Sequence, residues 1–507
     1  MTREHIAVLL TARDTVPAHK PWPRHEVDHI TWTKVAEGLG AGQGEMLTLF
    51  ADGGMVHMAL RSEALHLPCV VSCRVIDGGF PSVARHHPPA TRLERTIRDL
   101  FGIQAWDTPD QRPWLDHGVW GVRAPLGANL SSPPRDPADY AFDTVEGDGL
   151  RTMDVGPADA MIGQPAAFRL TLRGDTVVRA EERLGYAHRG VDALLCGADI
   201  ETAGRIVARV CGDSTVAYSF AFARAVELAL GITVPDRGAV LRGVMAELER
   251  IAGHLSVIGA AGRAASFDLL DARCAALREH LLATLDRVFA HRLMMDEIIP
   301  GGVVQNLSAA GVSVLLTALD AAAEAVERIV ALYGRTRRLR DRIREAGQIQ
   351  RHQAMTWGAG GPVGRAAGRD FDARRDLAYP PYEAVVFHLP ALTEGDADAR
   401  VRLCLAEVAS SLALVRHWLG NLPDGPVLAD IVRVGEPREG VAVVEAPRGD
   451  VLVWARLDAD GRVARCHIRD ASWFQWPLLE KAMEGARFAD LPVCLASFSC
   501  SVAGHDL

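Results

Sequence analysis

The segment Arg209-Val-Cys-Gly-Asp-Ser214 has the outline of half of a soft-metal site. A Cys-x-x-Cys pair delivers two thiolates from one rigid turn, and two such pairs can hold one soft metal ion. Here Cys211 is followed three residues later by Ser214, and the chain end carries Cys494 and Cys500 at a different spacing. One thiolate and one hydroxyl make a poor site for a soft metal. We expect no metal to be bound here, with Cys211 at most a residual ligand.

The same segment offers an ion pair beside the thiol. It falls in a helix predicted over residues 199–231, in which Arg209 and Asp213 lie four residues apart and share a face. These two side chains could therefore pair. Cys211 and Ser214 share a neighbouring face of that helix. The alternative is that Cys211 is a small core residue, as a lone cysteine in an apolar helix usually is.

Leu184-Gly-Tyr-Ala-His-Arg-Gly190 gathers groups that handle protons and anions. Tyr186, His188 and Arg189 stand within four residues, between two glycines. Two interpretations remain open. The tyrosine and histidine supply protons to a nearby site, or the segment is a structural turn in which the tyrosine packs and the histidine caps a helix.

Two further segments place arginine beside residues that shape turns. Pro447 and Gly449 fix a turn in a predicted strand pair, so Arg448 is expected to project from a rigid support, where it can stabilise an anion. A plain hairpin turn is the alternative.

Residues 364–379 contain four arginines and three aspartates beside two glycines. This density is typical of a solvated loop, whereas the glycines and the following prolines indicate a loop held in one shape.

Elements of two kinds must position these segments, and together they predict the α+β class. Residues 1–122 mix alternating runs with one helical stretch, which predicts a small α+β domain, and residues 123–152 are predicted to be a linker. Residues 153–507 predict a large, mainly helical bundle with peripheral β-hairpins. Strands are predicted at residues 46–50, 55–60, 69–76, 168–178 and 441–468, and helices at 90–101, 199–231, 235–261, 268–297, 308–347 and 400–420.

Composition limits the classes of partner. The net charge is −9 and the chain has no long basic run, so we expect no nucleic-acid partner. Nine cysteines at irregular spacings fit a reducing compartment better than a disulfide framework. The N-terminal residues lack the pattern of a secretory signal, and the best candidate for a membrane span, residues 216–234, carries Arg224 and Glu227. If the protein works at a membrane, another subunit is expected to anchor it.

Motifs in a consistent order resemble two related families. These are the catalytic large subunit of formate hydrogenlyase-type (group 4, membrane-bound) nickel-iron hydrogenases and the 49-kDa-type subunit of respiratory complex I. The resemblance covers most of residues 153–507. It is carried by Gly156-Pro157, GYxHRG from Gly185, RVCG from Arg209, AELERxxxHL from Ala246, HRLMMDxxxPGGV from His291, GRAAG and DxRRD between Gly364 and Asp376, EAPRG from Glu445 and RDASWFQWP from Arg469.

The N-terminal part resembles a further subunit. Residues 91–103, with Asp110-Gln-Arg-Pro-Trp114 after them, are similar to the complex I 30-kDa-type subunit, which is fused to the large subunit in formate hydrogenlyase-type proteins. In the hydrogenases two Cys-x-x-Cys pairs hold nickel and iron. Residues 499–504 fall where the second pair would lie, without cysteine at either ligand position. The resemblance therefore implies a pocket that has kept its outline and lost most of its metal ligands.

The resemblance also implies roles for individual residues. Arg209 matches an arginine beside the terminal iron-sulfur cluster of a neighbouring subunit, and Gly212 falls where the complex I family has a quinone-facing tyrosine. The residues expected to take part in catalysis are Tyr186, His188, Arg209, Asp213 and Arg448. Those expected to bind a cofactor or acceptor are Arg189, Cys211, Gly212 and Ser214.

The expected function is that of the large subunit of a membrane-associated, hydrogenase-related or complex I-like oxidoreductase. It would exchange electrons with a quinone or a similar acceptor through the iron-sulfur cluster of a partner, without a nickel-iron centre. The expected partners are a small iron-sulfur subunit, a ferredoxin-like subunit and antiporter-like membrane subunits, on the cytoplasmic face of the cell membrane. Two alternatives remain: a non-catalytic coupling subunit of such a complex, and a working nickel-iron hydrogenase with atypical ligands.

Overall fold

The structure is a computed structural model that describes residues 5–11, 13–128, 130–131, 140–431 and 435–507. It has the mixed α+β architecture expected from the sequence, with long helices and several small sheets. Part of the predicted linker, at residues 129 and 132–139, lies outside the described residues.

The N-terminal residues build a small sheet with helices packed on it. The elements in chain order are α1 (Ile6–Thr11), β1 (His19–Lys20), β2 (Arg24–Val27), α2 (His29–Gly40), β3 (Glu45–Ala51), β4 (Met55–Arg61), β5 (Cys69–Arg74), β6 (Gly79–Pro81), α3 (Thr91–Phe101), β7 (Gln104–Trp106), β8 (Val122–Arg123) and β9 (Leu130–Ser131). A four-stranded sheet has the order β2-β5-β4-β3, with β2 parallel to β5 and the other pairs antiparallel. The three predicted strands and the predicted helix of this region are confirmed.

Helix α2 corrects the prediction of a single N-terminal helix. Its β-branched residues and glycines disfavour a helix when taken alone. The fold supplies what the sequence lacks, because the Asp28 carboxylate accepts a hydrogen bond from the Thr31 amide at 2.7 Å and so caps the first turn. Trp32, Val35 and Leu39 are then buried against the sheet. Burial of these side chains outweighs the low helix propensity.

The rest of the chain starts with an antiparallel sheet and continues as helices and a final hairpin sheet. Its elements are β10 (Leu150–Val155), β11 (Ala167–Arg173), β12 (Thr176–Arg183), α4 (Val191–Leu195), α5 (Ile200–Val207), α6 (Thr215–Leu230), α7 (Asp236–Ala264), α8 (Asp268–Phe289), β13 (Ile298–Ile299), β14 (Gly302–Val303), α9 (Ala309–Arg335), α10 (Arg337–Ile343), α11 (Arg351–Thr356), α12 (Gly361–Ala366), α13 (Ala373–Asp376), α14 (Ala397–Gly420), β15 (Arg438–Ala446), β16 (Gly449–Leu457), β17 (Val463–Arg469), α15 (Ser472–Met483), α16 (Leu491–Phe498) and α17 (Val502–Asp506). Strand β10 begins inside the range predicted for the linker.

The predicted helical bundle is present. Helix α7 packs along both α8 and α14, and α9 packs on the outer side of the same pair. Helix α6 lies on the hairpin of β15 and β16 instead. Two predicted helices are each two helices in the structure: residues 199–231 form α5 and α6, and residues 308–347 form α9 and α10. The break between α5 and α6 carries Cys211, so it decides the geometry of the site.

Residues 364–379 are not the solvated loop that is one interpretation of their charges. Arg365, Asp372 and Arg374 have at most 1% of their surface exposed and pair with one another. The other interpretation, a loop held in one shape, is confirmed. These three charges are buried because each has an opposite charge in contact, whereas Arg375 and Asp370 of the same segment stay partly exposed.

The N-terminal part and the remainder of the chain share contacts and a hydrophobic core. Strand β1 adds in parallel to β15 in the sheet β1-β15-β16-β17. Arg469 donates to the Leu47 carbonyl oxygen at 2.8 Å, and Thr48 Oγ1 lies 2.8 Å from His467 Nε2. Core residues of the N-terminal sheet pack in one cluster with those of α15, α16 and α17. The domain boundaries at residues 122 and 153 stay predictions.

Helix α9, and not the segment 216–234, meets the length and composition of a membrane span. In the part of the chain that the structure describes, it is the one helix whose length and composition would allow a crossing. It packs on α8 and α14, and a core helix of a soluble protein can meet the same criterion. Length and composition by themselves are weak evidence for a span.

Candidate functional site

The turn between α5 and α6 carries Cys211, and Arg189 binds the backbone of this turn through hydrogen bonds. The Arg189 guanidinium donates to the carbonyl oxygens of Arg209 at 3.2 Å and Val210 at 2.8 Å, and to that of Ala503 at 3.1 Å. Arg189 therefore fixes the backbone of the turn and joins it to α17 at the end of the chain. Its position is that of a support for the site.

The Cys211 thiol contacts one residue of its own turn and one residue near the end of the chain. The thiol donates to Asp213 Oδ1 at 2.9 Å and lies 3.2 Å from Ser501 Oγ. Burial, together with the nearby carboxylates of Asp213 and Asp470, raises the pKa of the Cys211 thiol to about 12, although the charge of Arg448 acts in the opposite direction. The thiol is therefore protonated at neutral pH.

Arg448 projects from the turn between β15 and β16, as the sequence predicts. Gly449 adopts a φ of 135°, a conformation that favours glycine. Nε of Arg448 donates to the Ser499 carbonyl oxygen at 2.6 Å, and Nη1 donates to Ser214 Oγ at 2.9 Å and lies 3.7 Å from Cys211 Sγ. The guanidinium thus lies close to both the Cys211 thiol and the Ser214 hydroxyl, which stand three residues apart in the sequence.

Asp213 is ionised and faces a cavity. Burial favours its neutral form, but the charge of Arg448, with which it pairs, and the hydrogen bonds that it accepts outweigh burial and hold the pKa of Asp213 below its ordinary value. Arg209 and Asp213 do not form the pair that a helix would allow, because a turn carries both residues. Arg209 instead donates two hydrogen bonds of 2.7 Å to Asp296 and is half-exposed at the surface.

The cavity beside this cluster has a volume of about 960 Å³, the size of a pocket for a small organic molecule. Cys211, Asp213 and Arg448 form its polar end, with the Gly212 backbone beside them. The rest of the lining is mostly apolar, and its other polar residues are Gln164, Arg263, Ser499 and Ser501. Large apolar side chains in the lining are Met161, Ile162, Trp476, Leu479 and Leu495. This arrangement suits a molecule with an apolar body and a polar end that accepts electrons or protons.

Tyr186 and His188 lie outside the lining of this cavity. Tyr186 packs edge-on against His117 and is 40% exposed, while His188 stacks on Trp120. His188 Nδ1 lies 2.6 Å from the Asp506 carbonyl oxygen. The Asp506 carboxylate also accepts backbone hydrogen bonds from residues 185 and 187. Residues 185–188 therefore bind the C-terminal helix through hydrogen bonds to Asp506. This agrees with the interpretation of the segment as a structural turn.

Sequence reasoning missed three residues behind the thiol. Ser501 stands opposite Cys211, and its amide donates to Ser472 Oγ at 2.9 Å. The Tyr218 hydroxyl donates to Asp470 Oδ2 at 2.7 Å, and both residues are buried. Ser501 carried a signal, because it lies in the segment that matches the second cysteine pair of the hydrogenases. Tyr218 and Asp470 are far apart in sequence, and no spacing links them.

Comparisons with known families agree with this architecture. The family described as the respiratory-chain NADH dehydrogenase 49 Kd subunit matches residues 272–440 and 432–506, and that of nickel-dependent hydrogenases matches residues 189–257. The respiratory-chain NADH dehydrogenase 30 Kd subunit family matches residues 47–132. The chain is similar to the complex I and hydrogenase large subunits. The fused order, a 30-kDa-type part before a large-subunit part, is the order that the motifs predict.

Individual relatives span both parts. Hydrogenase-4 component G of Escherichia coli (strain K12) is 28% identical over 88% of this chain and 80% of that protein. Formate hydrogenlyase subunit 5 of the same organism is 26% identical over 85% of this chain and 79% of that protein. The chain is also similar to a solved chain of the membrane-bound sulfane sulfur reductase, an archaeal respiratory membrane complex. The TM-score is 0.67 and the identity 25%, over 71% of this chain and 99% of that chain.

The residues around Cys211 in this chain do not fit the nickel-iron centre of the hydrogenases. Such a centre needs several thiolates. Here the thiol of Cys211 lies beside the hydroxyl of Ser501, Ser214 stands where a second thiol would be needed, and Arg448 donates to Ser214. Across the described ranges, no group of three or more His, Cys, Asp or Glu side chains is arranged to hold a metal ion.

Proposed function

We propose that this chain is the large subunit of a membrane-associated electron-transfer complex and that its cavity binds a quinone or a similar small acceptor. One observation carries the proposal: a cavity of about 960 Å³ with apolar walls ends at an ionised carboxylate, a guanidinium and a thiol. Apolar walls bind the body of such an acceptor, and charged groups at one end act on the atoms that change charge.

Two side chains have distinct roles in this proposal. Arg448 stabilises the negative charge that builds on the acceptor when electrons arrive, since its guanidinium carries a permanent positive charge. Asp213, held by Arg448 and open to the cavity, passes a proton to the reduced acceptor. Arg209, half-exposed on the other side of the turn, faces the partner that supplies the electrons.

The electrons come from an iron-sulfur cluster in a small partner subunit, and the complex also contains a ferredoxin-like subunit and antiporter-like membrane subunits. The chain itself lies on the cytoplasmic face of the membrane. The names of the relatives support this arrangement, because hydrogenase components and a respiratory membrane complex are among them.

A sulfane-sulfur compound is the second candidate acceptor. The thiols of both Cys211 and Cys500 belong to residues of the cavity lining, which suits a ligand that contains sulfur. The solved chain that the protein resembles belongs to a sulfane sulfur reductase. Assays with a quinone and with a polysulfide separate the two candidates.

Substitutions in the purified complex test the proposal. Arg448→Gln removes the charge at the polar end, and Asp213→Asn removes the proton-accepting carboxylate. Loss of one charge-assisted interaction is worth about 1.5–3 kcal/mol, which corresponds to a fall of roughly 10- to 100-fold in kcat/KM. The measurement is the reduction of a soluble quinone and of a polysulfide by the complex with a low-potential donor. Asp320→Asn, which changes an exposed carboxylate paired with Arg416, is the matched control and keeps the wild-type rate.

Three results would redirect the proposal. Full activity of the complex with both Arg448→Gln and Asp213→Asn would favour the coupling role over catalysis at this cavity. Stoichiometric nickel in an elemental analysis of the complex would favour a hydrogenase with atypical ligands. A wild-type complex that reduces neither acceptor would reject the proposed function.

A further inference from the structure

A second, much smaller cavity is also lined by Asp213. Its volume of about 20 Å³ is enough for one water molecule. Asp213 forms one wall, Glu249 on α7 forms another, and Arg278 and Arg292 lie on the α8 side. Asp213 therefore lines both the acceptor cavity and this small one.

Glu249 is a buried carboxyl group that meets backbone amides. Its two oxygens accept hydrogen bonds from the amides of Val216 at 2.7 Å and Ala217 at 3.0 Å, in the first turn of α6. The residue is 7% exposed. Each carboxyl oxygen has a second lone pair, so a water in the small cavity can still bond to this group.

The surroundings of Glu249 favour its protonated form. Burial raises the pKa of Glu249 to about 8 and the negative charge of Asp213 adds to this, against the two backbone hydrogen bonds and the charge of Arg250. Arg278 and Arg292 are the other charged groups at the small cavity. A carboxyl group with this pKa is largely protonated at neutral pH and can release and regain a proton near pH 8.

The far end of the small cavity leads towards solvent. The side chain of Arg292 is 50% exposed and pairs with Glu279 at the surface. Arg278 belongs to the same lining, and its Nε is buried without a hydrogen-bond partner among the described residues. A buried donor without a partner is a position where a water is expected. The partly exposed Arg292 and Asp213 both line the small cavity, and Asp213 also lines the acceptor cavity. Together they give a route from the surface to the acceptor.

We propose that Glu249 is a relay residue that carries protons from the α8 surface through the small cavity to Asp213 and the bound acceptor. The inference rests on the proposed function and assigns to Glu249 the proton supply that the sequence assigns to Tyr186 and His188. It acts through Asp213 and does not touch the acceptor itself.

The transfer balances for a quinone. The acceptor takes two electrons, one after the other, through the iron-sulfur cluster of the partner subunit, which is reduced again between the two transfers, and with two protons it becomes a quinol. Each proton leaves the Glu249 carboxyl group, crosses the water in the small cavity to the Asp213 carboxylate, and bonds to an acceptor oxygen. Glu249 is protonated again from solvent beside Arg292 before the next transfer.

The test compares Glu249→Gln with the wild type in the assembled complex. Glutamine keeps the shape but cannot carry a proton, so quinone reduction should fall about 100-fold, the range of a lost proton-transfer group. In the wild type the rate falls as pH rises above about 8, where Glu249 loses its proton, and this limb of the pH profile disappears in the variant. Glu249→Asp keeps a carboxyl group and restores part of the rate and of the limb.

Two controls separate proton transfer from a structural effect. Glutamine also weakens the cap of α6, so Asp199→Ala, which removes the cap of α5 away from both cavities, shows what the loss of a cap does to the rate. Reduction of a one-electron dye at the partner's cluster requires no proton at this cavity and should not change in Glu249→Gln. If quinone reduction in Glu249→Gln kept the wild-type rate and pH limb, the relay would be rejected while the proposed function stood.

An infrared titration gives a readout that does not depend on turnover. The wild-type complex should show a carboxylic-acid C=O band that disappears near pH 8 and is missing in Glu249→Gln. A wild-type complex without quinone reductase activity would reject the proposed function, and the infrared band would still show whether Glu249 is a neutral acid. Absence of the band at neutral pH would overturn the relay.

Discussion

At the scale of single residues, the position of Arg448 decides what the pocket can bind. A guanidinium keeps its charge at any physiological pH, and here it lies beside the thiol, the hydroxyl and the carboxylate of one short turn. The same charge keeps Asp213 ionised. An electron-rich or anionic ligand is favoured beside it.

The protonation of Cys211 can be measured by its reactivity. Since the thiolate is the reactive form and the pKa of Cys211 is raised to about 12, Cys211 should resist iodoacetamide at pH 8 in the native protein. Peptide mass spectrometry after timed labelling gives the extent of alkylation at each cysteine. The partly exposed Cys196 serves as the reference for access to reagent. Rapid and selective alkylation of Cys211 would show a thiolate and reopen the question of a soft metal.

At the scale of elements, a buried charge network joins the bundle to the hairpin that carries Arg448. The Glu247 carboxylate on α7 accepts hydrogen bonds from Arg374 at 3.0 Å, from the Tyr382 hydroxyl at 2.6 Å and from Ser411 on α14 at 2.5 Å. Arg250, one turn later on α7, donates to the backbone of β15 at residues 445 and 446. The network fixes the hairpin relative to α7, and so fixes Arg448 relative to Asp213.

Removal of one member of this network should be costly. Glu247→Ala leaves Arg250 and Arg374 buried without their common carboxylate, and breaking a buried pair in this way costs about 3–5 kcal/mol. Chemical denaturation of the purified protein measures the loss. Arg375→Ala removes a neighbouring arginine whose side chain is 35% exposed, and this should cost less than about 1 kcal/mol. Equal losses for the two variants would contradict the role assigned to the network.

At the scale of the whole molecule, buried histidines lie where the N-terminal part meets the rest. His19 is in β1, which pairs with β15, His467 meets Thr48, and His505 accepts a hydrogen bond from Trp114 Nε1 at 3.2 Å. Burial lowers the pKa of His19 to about 4 and that of His467 to about 3, and it also lowers the pKa of His505. Each of these rings is neutral in the folded protein at neutral pH.

The junction should therefore be sensitive to acid. A histidine whose pKa is lower in the folded than in the unfolded state stabilises the fold fully above about pH 6.5, and this contribution is lost as pH falls towards the folded value. At pH 5 the loss is roughly 2 kcal/mol each for His19 and His467. Thermal unfolding between pH 7.5 and pH 5 measures it.

A variant isolates one of these histidines. His467→Gln should reduce the dependence of unfolding on pH, because glutamine does not titrate. His280→Gln, at an exposed position on α8, should leave that dependence unchanged. If His467→Gln kept the full wild-type slope, the acid sensitivity would have another origin.

The sequence determined the fold class, most strands and helices of the core and the projecting position of Arg448. Alternation of apolar residues, turn glycines and the order of motifs are local properties, and they survive in the fold because packing agrees with them. It also determined that Cys211 has no thiol three residues later to share a metal.

Only the tertiary structure decided which groups meet. A turn in place of the predicted helix sends Arg209 to Asp296 and frees Asp213 for Arg448, which comes from a hairpin more than two hundred residues later. The folded C-terminus likewise encloses His188 and brings Ser501 to Cys211. Hydrogen bonds and ion pairs act over a few ångströms, so partners far apart in sequence are fixed by how the elements pack and leave no spacing pattern to read.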